Sequence, residues 1–285
     1  MSSFLSPLPP TTPDISVFLP DSGRCELAVR QRFAGRTDSG VAALDQESPG
    51  SIPGGATRSF ASALPRAHLS LMTCCGAAAC AGHFDAKRVT EDLRSYRANG
   101  PAATTRALVD ALLRAGVQQS TLLDIGGGVG AIQHALLAAG AREATAVEAS
   151  DAYLNAARGE AEQRGLQGRI RYQLGDFVEV AAQIPAADVV TLDRVVCCYP
   201  GMEALVRLSA TRSKRLYGIV YPRGEWWTRV VIRLQNIGRR LIGNAFRSFV
   251  HSPEAMDSLI RSLGFTLQSK NRTFVWEVVV YVRRS

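Results

Sequence analysis

"TLLDIGGGVGAIQHALLAAGA", Thr121 to Ala141, decides how this chain folds. A short apolar strand meets four glycines within five positions and then an apolar helix. Glycines at that density let the backbone turn sharply and sit against a ligand, and the helix aims its N-terminus at the same place. Onward from this stretch, strands and helices alternate. "EATAVEAS", "RIRYQLGD", "DVVTLDRV" and "RLYGIVYP" read as strands, with helical "AYLNAARGEAEQRG" and "GMEALVRLSATR" among them. Near-continuously apolar strands in such an alternation form a parallel sheet covered on both faces. The end differs: "FTLQSKN" and "TFVWEVVVYVRR" follow one another closely, which predicts a terminal antiparallel pair.

Upstream, "HFDAKRVTEDLRSYRANGP" places Phe84, Val89, Leu93 and Tyr96 near one helical face and stops at Asn99-Gly100-Pro101. A second helix is predicted over about residues 102–115. Residues 1–71 carry the Pro/Ser/Gly-rich runs "SPLPPTTPD" and "SPGSIPGGATRS" with no lasting helical period, the pattern of a disordered or non-native extension. Composition shifts at Met72, a candidate natural start. The expected organisation is therefore an extension over 1–71, an N-terminal helical lid segment over 72–100 and the main domain over 101–285.

The formal charge of +8 over 285 residues is uneven. From Ala204 onward there are 15 Lys/Arg against 4 Asp/Glu. Such a basic third suits an acidic small molecule, an anionic membrane surface or nucleic acid, or is a solvated arginine-rich surface. No apolar run reaches the roughly 18 residues needed to cross a bilayer. The six cysteines, two adjacent pairs among them, do not suit a disulfide framework, and no secretory signal precedes them, so a cytoplasmic protein with reduced thiols is expected. Cys74, Cys75, Cys80 and His83 have a ligand-like composition but lack the usual CxxC spacing, and no metal is expected.

The glycine loop alone also spells GxGxxA over residues 126–131, which fits a nicotinamide or flavin dinucleotide. Three features favour S-adenosyl-L-methionine, the second of them, Glu148, in a role that both cofactor families share. Asp124, two residues before the first glycine, suits a cationic ligand and repels a pyrophosphate. Glu148, closing the second strand, can accept hydrogen bonds from both ribose hydroxyls. Asp176 can accept from an adenine amino group, with Phe177 offering an apolar face to the ring.

On "LLDIGGGVG", "VEAS", "GDF", "DVVTLDRV" and the closing strand pair, the chain resembles the class I S-adenosylmethionine-dependent methyltransferases over about residues 100–285. The resemblance implies an α/β, Rossmann-like seven-stranded methyltransferase sheet with a terminal antiparallel strand, here preceded by the helical lid. It implies a cofactor set of Asp124, Gly126, Gly128, Gly130, Glu148, Ala149, Asp176, Phe177 and Asp193. It also implies that "DRVVCCYPG", Asp193 to Gly201, faces the methyl donor and acceptor. Locally, "CCYPGMEAL", "RLQNIGRRLIGNAFRSFVH" and the early "HFDAKR" with "RSYR" are similar to magnesium-protoporphyrin IX methyltransferases, which esterify a propionate on a planar tetrapyrrole. That family has a tyrosine in its N-terminal helices, which Tyr96 matches. It has a histidine just before the Tyr-Pro, where this chain has Cys198.

The expected activity is methyl transfer to a small molecule with a carboxylate or hydroxyl acceptor. An NAD(P)-dependent oxidoreductase and a non-catalytic membrane or nucleic-acid binder are the alternatives. Tyr199, Tyr96 and His251 are the candidate catalytic residues, with Tyr199 expected on the acceptor side. Cys197 and Cys198 are thiolate nucleophiles, metalloid ligands or small buried packing residues at a strand end. Residues 225–250 read as one basic amphipathic helix that covers the substrate, packs on the core, or touches a membrane peripherally; Arg229 and Arg233 are expected to face an acidic acceptor. No nucleic-acid partner is expected.

Overall fold

The computed structural model describes residues 83–284. The expectations for residues 1–71, for the segment up to residue 82, and for Cys74, Cys75 and Cys80 lie outside the described residues. Helices α1 (Ala86–Asn99) and α2 (Ala103–Arg114) precede the first strand. Then come β1 (Thr121–Ile125), α3 (Ala131–Ala138), β2 (Glu143–Glu148), α4 (Asp151–Gln163), β3 (Ile170–Leu174) and the short α5 (Phe177–Val180). The order continues with β4 (Ala187–Asp193), α6 (Met202–Thr211), β5 (Ser213–Pro222), α7 (Trp226–Leu241), α8 (Pro253–Ser262), β6 (Phe265–Arg272) and β7 (Trp276–Arg283).

The seven strands form one sheet in the order β3-β2-β1-β4-β5-β7-β6. β1 to β5 pair in parallel, and β7 runs antiparallel to both neighbours. This is the seven-stranded sheet with an antiparallel terminal strand that the resemblance implies. Successive strand residues point to opposite faces, so Leu122 and Leu123 enter different cores. One core packs Leu123, Val190, Tyr217 and Val279 under α6 and α8. The other packs Leu122, Val189, Leu216 and Val280 with Leu108 and Leu112 of α2 and Leu136 of α3. Gly218 of β5 allows that approach, because a Cβ there would lie 2.8 Å from Leu108 Cδ1. α2 is thus a core helix. α1 is anchored on α4, where Arg97 Nε donates to Glu160 at 2.7 Å and the Tyr153 hydroxyl donates to Asp92.

The expected helix over 225–250 is shorter than its pattern. α7 ends at Leu241 in a Schellman turn: Gly243 sits at φ +73°, its N–H donates to Arg240 O, and Asn244 N–H donates to Arg239 O. The chain beyond it turns inward and buries Phe246. Among the described residues no helix is long and apolar enough to cross a membrane.

Candidate active site

A crevice of about 800 Å³ opens at the carboxyl ends of the parallel strands. Gly126 after β1, Glu148 of β2, Gly175 after β3, Asp193 of β4 and Pro222 of β5 all line it. In an open α/β sheet this is where ligands bind. Gly126, Gly127 and Gly128 present bare backbone to the crevice, with Val129 beside them on the wall, as the glycine pattern predicts. Gly128 sits at φ +55°, a conformation that side chains disfavour.

Asp124 is not on the crevice wall. It is fully buried beneath the loop, accepting from Thr191 Oγ1 at 2.7 Å and Gln133 Nε2 at 3.1 Å. A Cβ on Gly127 would meet its Oδ2 at 2.3 Å. The loop therefore lies between the carboxylate and the crevice, which corrects the expectation that Asp124 converges on the crevice wall to receive the cofactor directly or through water. Burial pushes its pKa up to about 6. Gly130 also stays off the wall; it starts α3 in the left-handed region, packed against His134.

Glu148 does reach the crevice, with Ala149 beside it. Its oxygens accept from Gly128 N–H at 3.3 Å and Ser150 N–H at 2.9 Å, and burial raises its pKa. Phe177 lines the crevice while its ring is buried. Asp176 does not line it. It caps α5, accepting from Val178 N–H at 2.8 Å and from the Tyr199 hydroxyl. Tyr199 faces the crevice with its hydroxyl committed to Asp176, so the two expected sides, cofactor and acceptor, meet in one hydrogen bond. Asp193 is tied to the N-terminal helices, accepting from Thr105 of α2, and to Arg194 at 3.1 Å. Arg194 has φ +63°, an uncommon backbone for a non-glycine residue, and also lines the crevice.

His251 is not a wall residue: its Nε2 lies 2.8 Å from the Tyr199 carbonyl oxygen, so it holds the backbone of the Tyr199 turn. This corrects its expected place on the substrate wall, which followed from running α7 on to residue 250. Tyr96 is on the wall, and its hydroxyl is 3.1 Å from His134 Nδ1. Cys197 and Cys198 also line the crevice, with their sulfurs 4.0 Å apart.

α7 covers one side. Thr228, Ile232, Gln235 and Arg239, at four-, three- and four-residue steps, face the crevice. Arg229 and Arg233 are exposed on another face and do not line it. Arg239 is the arginine of this helix that lines the crevice, a position the same helical spacing could have found. His83 stacks on Phe246 at 4.1 Å with Phe84 edge-on to both, and all three line the crevice. No sequence signal identified Phe246, because it lies in irregular chain whose path depends on tertiary packing.

Residues 122–214 match the family described as "Methyltransferase domain". Two similar solved structures are of magnesium protoporphyrin IX methyltransferase from Synechocystis PCC 6803. The one with bound SAH is 17% identical, with a TM-score of 0.57, covering 72% of this chain and 98% of that one. The one with bound SAM is 15% identical, with a TM-score of 0.56, covering 73% and 97%. An O-methyltransferase family protein from Burkholderia thailandensis is 17% identical, with a TM-score of 0.53, covering 70% of this chain and 62% of that one. No curated protein matches the sequence. Residues 122–214 are thus similar to a methyltransferase domain, and the described residues take up the class I methyltransferase fold.

Proposed function

We infer that this chain is an S-adenosyl-L-methionine-dependent methyltransferase acting on a small molecule through a carboxylate or hydroxyl acceptor. The observation that carries the reading is Glu148, a carboxylate held on the crevice wall by two backbone N–H groups beside the glycine loop. A carboxylate so placed suits paired ribose hydroxyls. A carboxylate at this strand end serves the ribose of dinucleotide sites as well; what weighs against the NAD(P) reading is the match of residues 122–214 to a methyltransferase domain and the antiparallel β7.

The residues present fit the cofactor. The bare backbone of Gly126 to Gly128 makes room for its amino-acid part, Glu148 for the ribose and Phe177 for the adenine. When bound, the cofactor supplies an electrophilic methyl group. The chain must then align the acceptor in line with that group and exclude water. α1 and α7 border the crevice and restrict solvent from two sides. Arg239, its Nη1 held by Asn236 and Ser248 at 3.1 and 3.0 Å, offers a cation to an acidic acceptor. A carboxylate acceptor needs no base. A hydroxyl acceptor does, and Tyr96 with His134 is the pair positioned to orient it.

The test is calorimetric titration with S-adenosylhomocysteine and NADH, followed by a labelled-methyl screen over carboxylic acids, phenols and tetrapyrroles. S-adenosylhomocysteine binding with methyl incorporation supports the reading. Binding of NADH alone, or of neither ligand, overturns it.

A further inference from the structure

α7 has two faces that the crevice does not use. Trp226, Val230, Leu234, Ile237 and Leu241 follow one another at steps of four, four, three and four residues, so they form one stripe along the helix. All five point to solvent, from 44% exposed at Val230 to 82% at Leu241. Fifteen steps of helical rise make the stripe about 22 Å long. Ile242 extends it, and exposed Phe274 stacks on neighbouring Trp227 at 4.7 Å. Isolated exposed apolar side chains are ordinary; a continuous row of this length marks a surface that meets another apolar phase.

The charge on the helix selects that phase. Trp226–Leu241 carries Arg229, Arg233, Arg239 and Arg240 and no acid. Arg239 faces the crevice. The other three are exposed, have no ion-pair partner among the described residues, and follow one edge of the apolar stripe. A second copy meeting this face about a two-fold axis would bring arginine rows together with no acid on either helix to answer them. A bilayer with anionic headgroups answers both features: the stripe enters the acyl boundary and the arginines meet phosphate. Trp226, at one end of the stripe, is the residue type that favours such an interface.

We propose that α7 lies on the surface of an anionic membrane, with Trp226, Leu234, Ile237 and Leu241 inserted and Arg229, Arg233 and Arg240 at the headgroups. Val231 lines the crevice and is also exposed, and Trp227 lines it next to Phe274. The apolar surface thus continues from the outer stripe to the crevice mouth. On the methyltransferase reading, this places the entrance beside the lipid, and the acceptor is an amphiphile that partitions there.

The experiment uses the full chain with phosphatidylcholine vesicles, with and without phosphatidylglycerol, read by co-flotation and by the tryptophan emission maximum. Binding is expected on the anionic vesicles, with a blue shift and with loss at high salt. Leu234→Glu together with Leu241→Glu should weaken it by about tenfold or more, from lost apolar burial. Arg233→Gln together with Arg240→Gln should weaken it by about fivefold for each charge removed. S-adenosylhomocysteine affinity should be unchanged in both variants, which separates this proposal from the assignment of the crevice. No vesicle binding overturns it, as does equal binding by the double-Glu variant. A double-Glu variant with a clearly lowered melting temperature shows a face packed on protein, and a dimer dispersed by the same substitutions shows a second copy; either result overturns the membrane assignment.

Discussion

Tyr96 of α1 and His134 of α3, 38 positions apart, meet with the phenol oxygen 3.1 Å from Nδ1, both side chains buried and the tyrosine on the crevice wall. Nε2 of His134 is buried with no hydrogen-bond partner among the described residues. Arg164 lies over the Tyr96 ring at 5.0 Å. Burial, reinforced by that arginine, lowers the His134 pKa to about 4, so the imidazole is neutral at neutral pH. A neutral imidazole suits the task of orienting a phenol. Tyr96→Phe should lower the rate of methyl transfer by about tenfold with a hydroxyl acceptor, whose oxygen the phenol is placed to orient, and much less with a carboxylate. Equal losses on both acceptors would make Tyr96 a packing residue.

The same histidine shapes the stability profile. Its pKa is near 4 folded and 6.5 unfolded, so between those values the unfolded chain binds the extra proton and stability falls as pH drops. Asp124 has the opposite sign: with a folded pKa near 6, the folded chain holds the extra proton, and stability falls as pH rises from about 4 to 6. His134→Gln should remove the acid-side loss, about 2–3 kcal/mol between pH 7 and 4. Asp124→Asn should gain stability relative to the native chain by a similar amount as pH rises over that window. Denaturant titrations at several pH values measure both; slopes unchanged by the substitutions would refute the assignments.

Gly127 sits on the Asp124 carboxylate. In Gly127→Ala the new Cβ would meet Asp124 Oδ2 at 2.3 Å and Gln133 Nε2 at 2.6 Å. The expected cost is about 1–3 kcal/mol of stability, with weaker S-adenosylhomocysteine binding as the loop is displaced. Thermal melts with and without ligand report both. A variant as stable as the native chain would show that the loop relaxes freely.

Glu148→Ala removes the carboxylate proposed for the ribose. S-adenosylhomocysteine affinity should fall by about 1.5–3 kcal/mol, the range for hydrogen bonds to a charged group. Unchanged affinity by calorimetry would exclude Glu148 from that role.

Tyr199→Phe tests the link to Asp176. Its hydroxyl bonds to Asp176, which caps the helix carrying Phe177, so cofactor affinity and turnover should fall together, by about 1–2 kcal/mol in binding. Loss of turnover alone would return Tyr199 to the acceptor side, as its position after the fourth strand suggested.

The local pattern by itself determined the parallel sheet, the antiparallel end, the glycine loop, and the arrival of Glu148, Phe177 and Asp193 at one edge. Strand period, apolar runs and turn chemistry are properties of neighbouring residues, and a parallel sheet brings strand ends together whatever its details. Tertiary structure decided which of those residues face the crevice. Asp124 follows the strand pattern, but its direction under the loop was settled by Thr191 and Gln133 arriving from other elements. Arg239 rather than Arg229 or Arg233 faces inward because docking fixes the rotation of α7, which its periodicity leaves free. The pairing of Tyr96 with His134 exists because α1, anchored on α4, carries the tyrosine to α3, a contact set by packing rather than by any local signal.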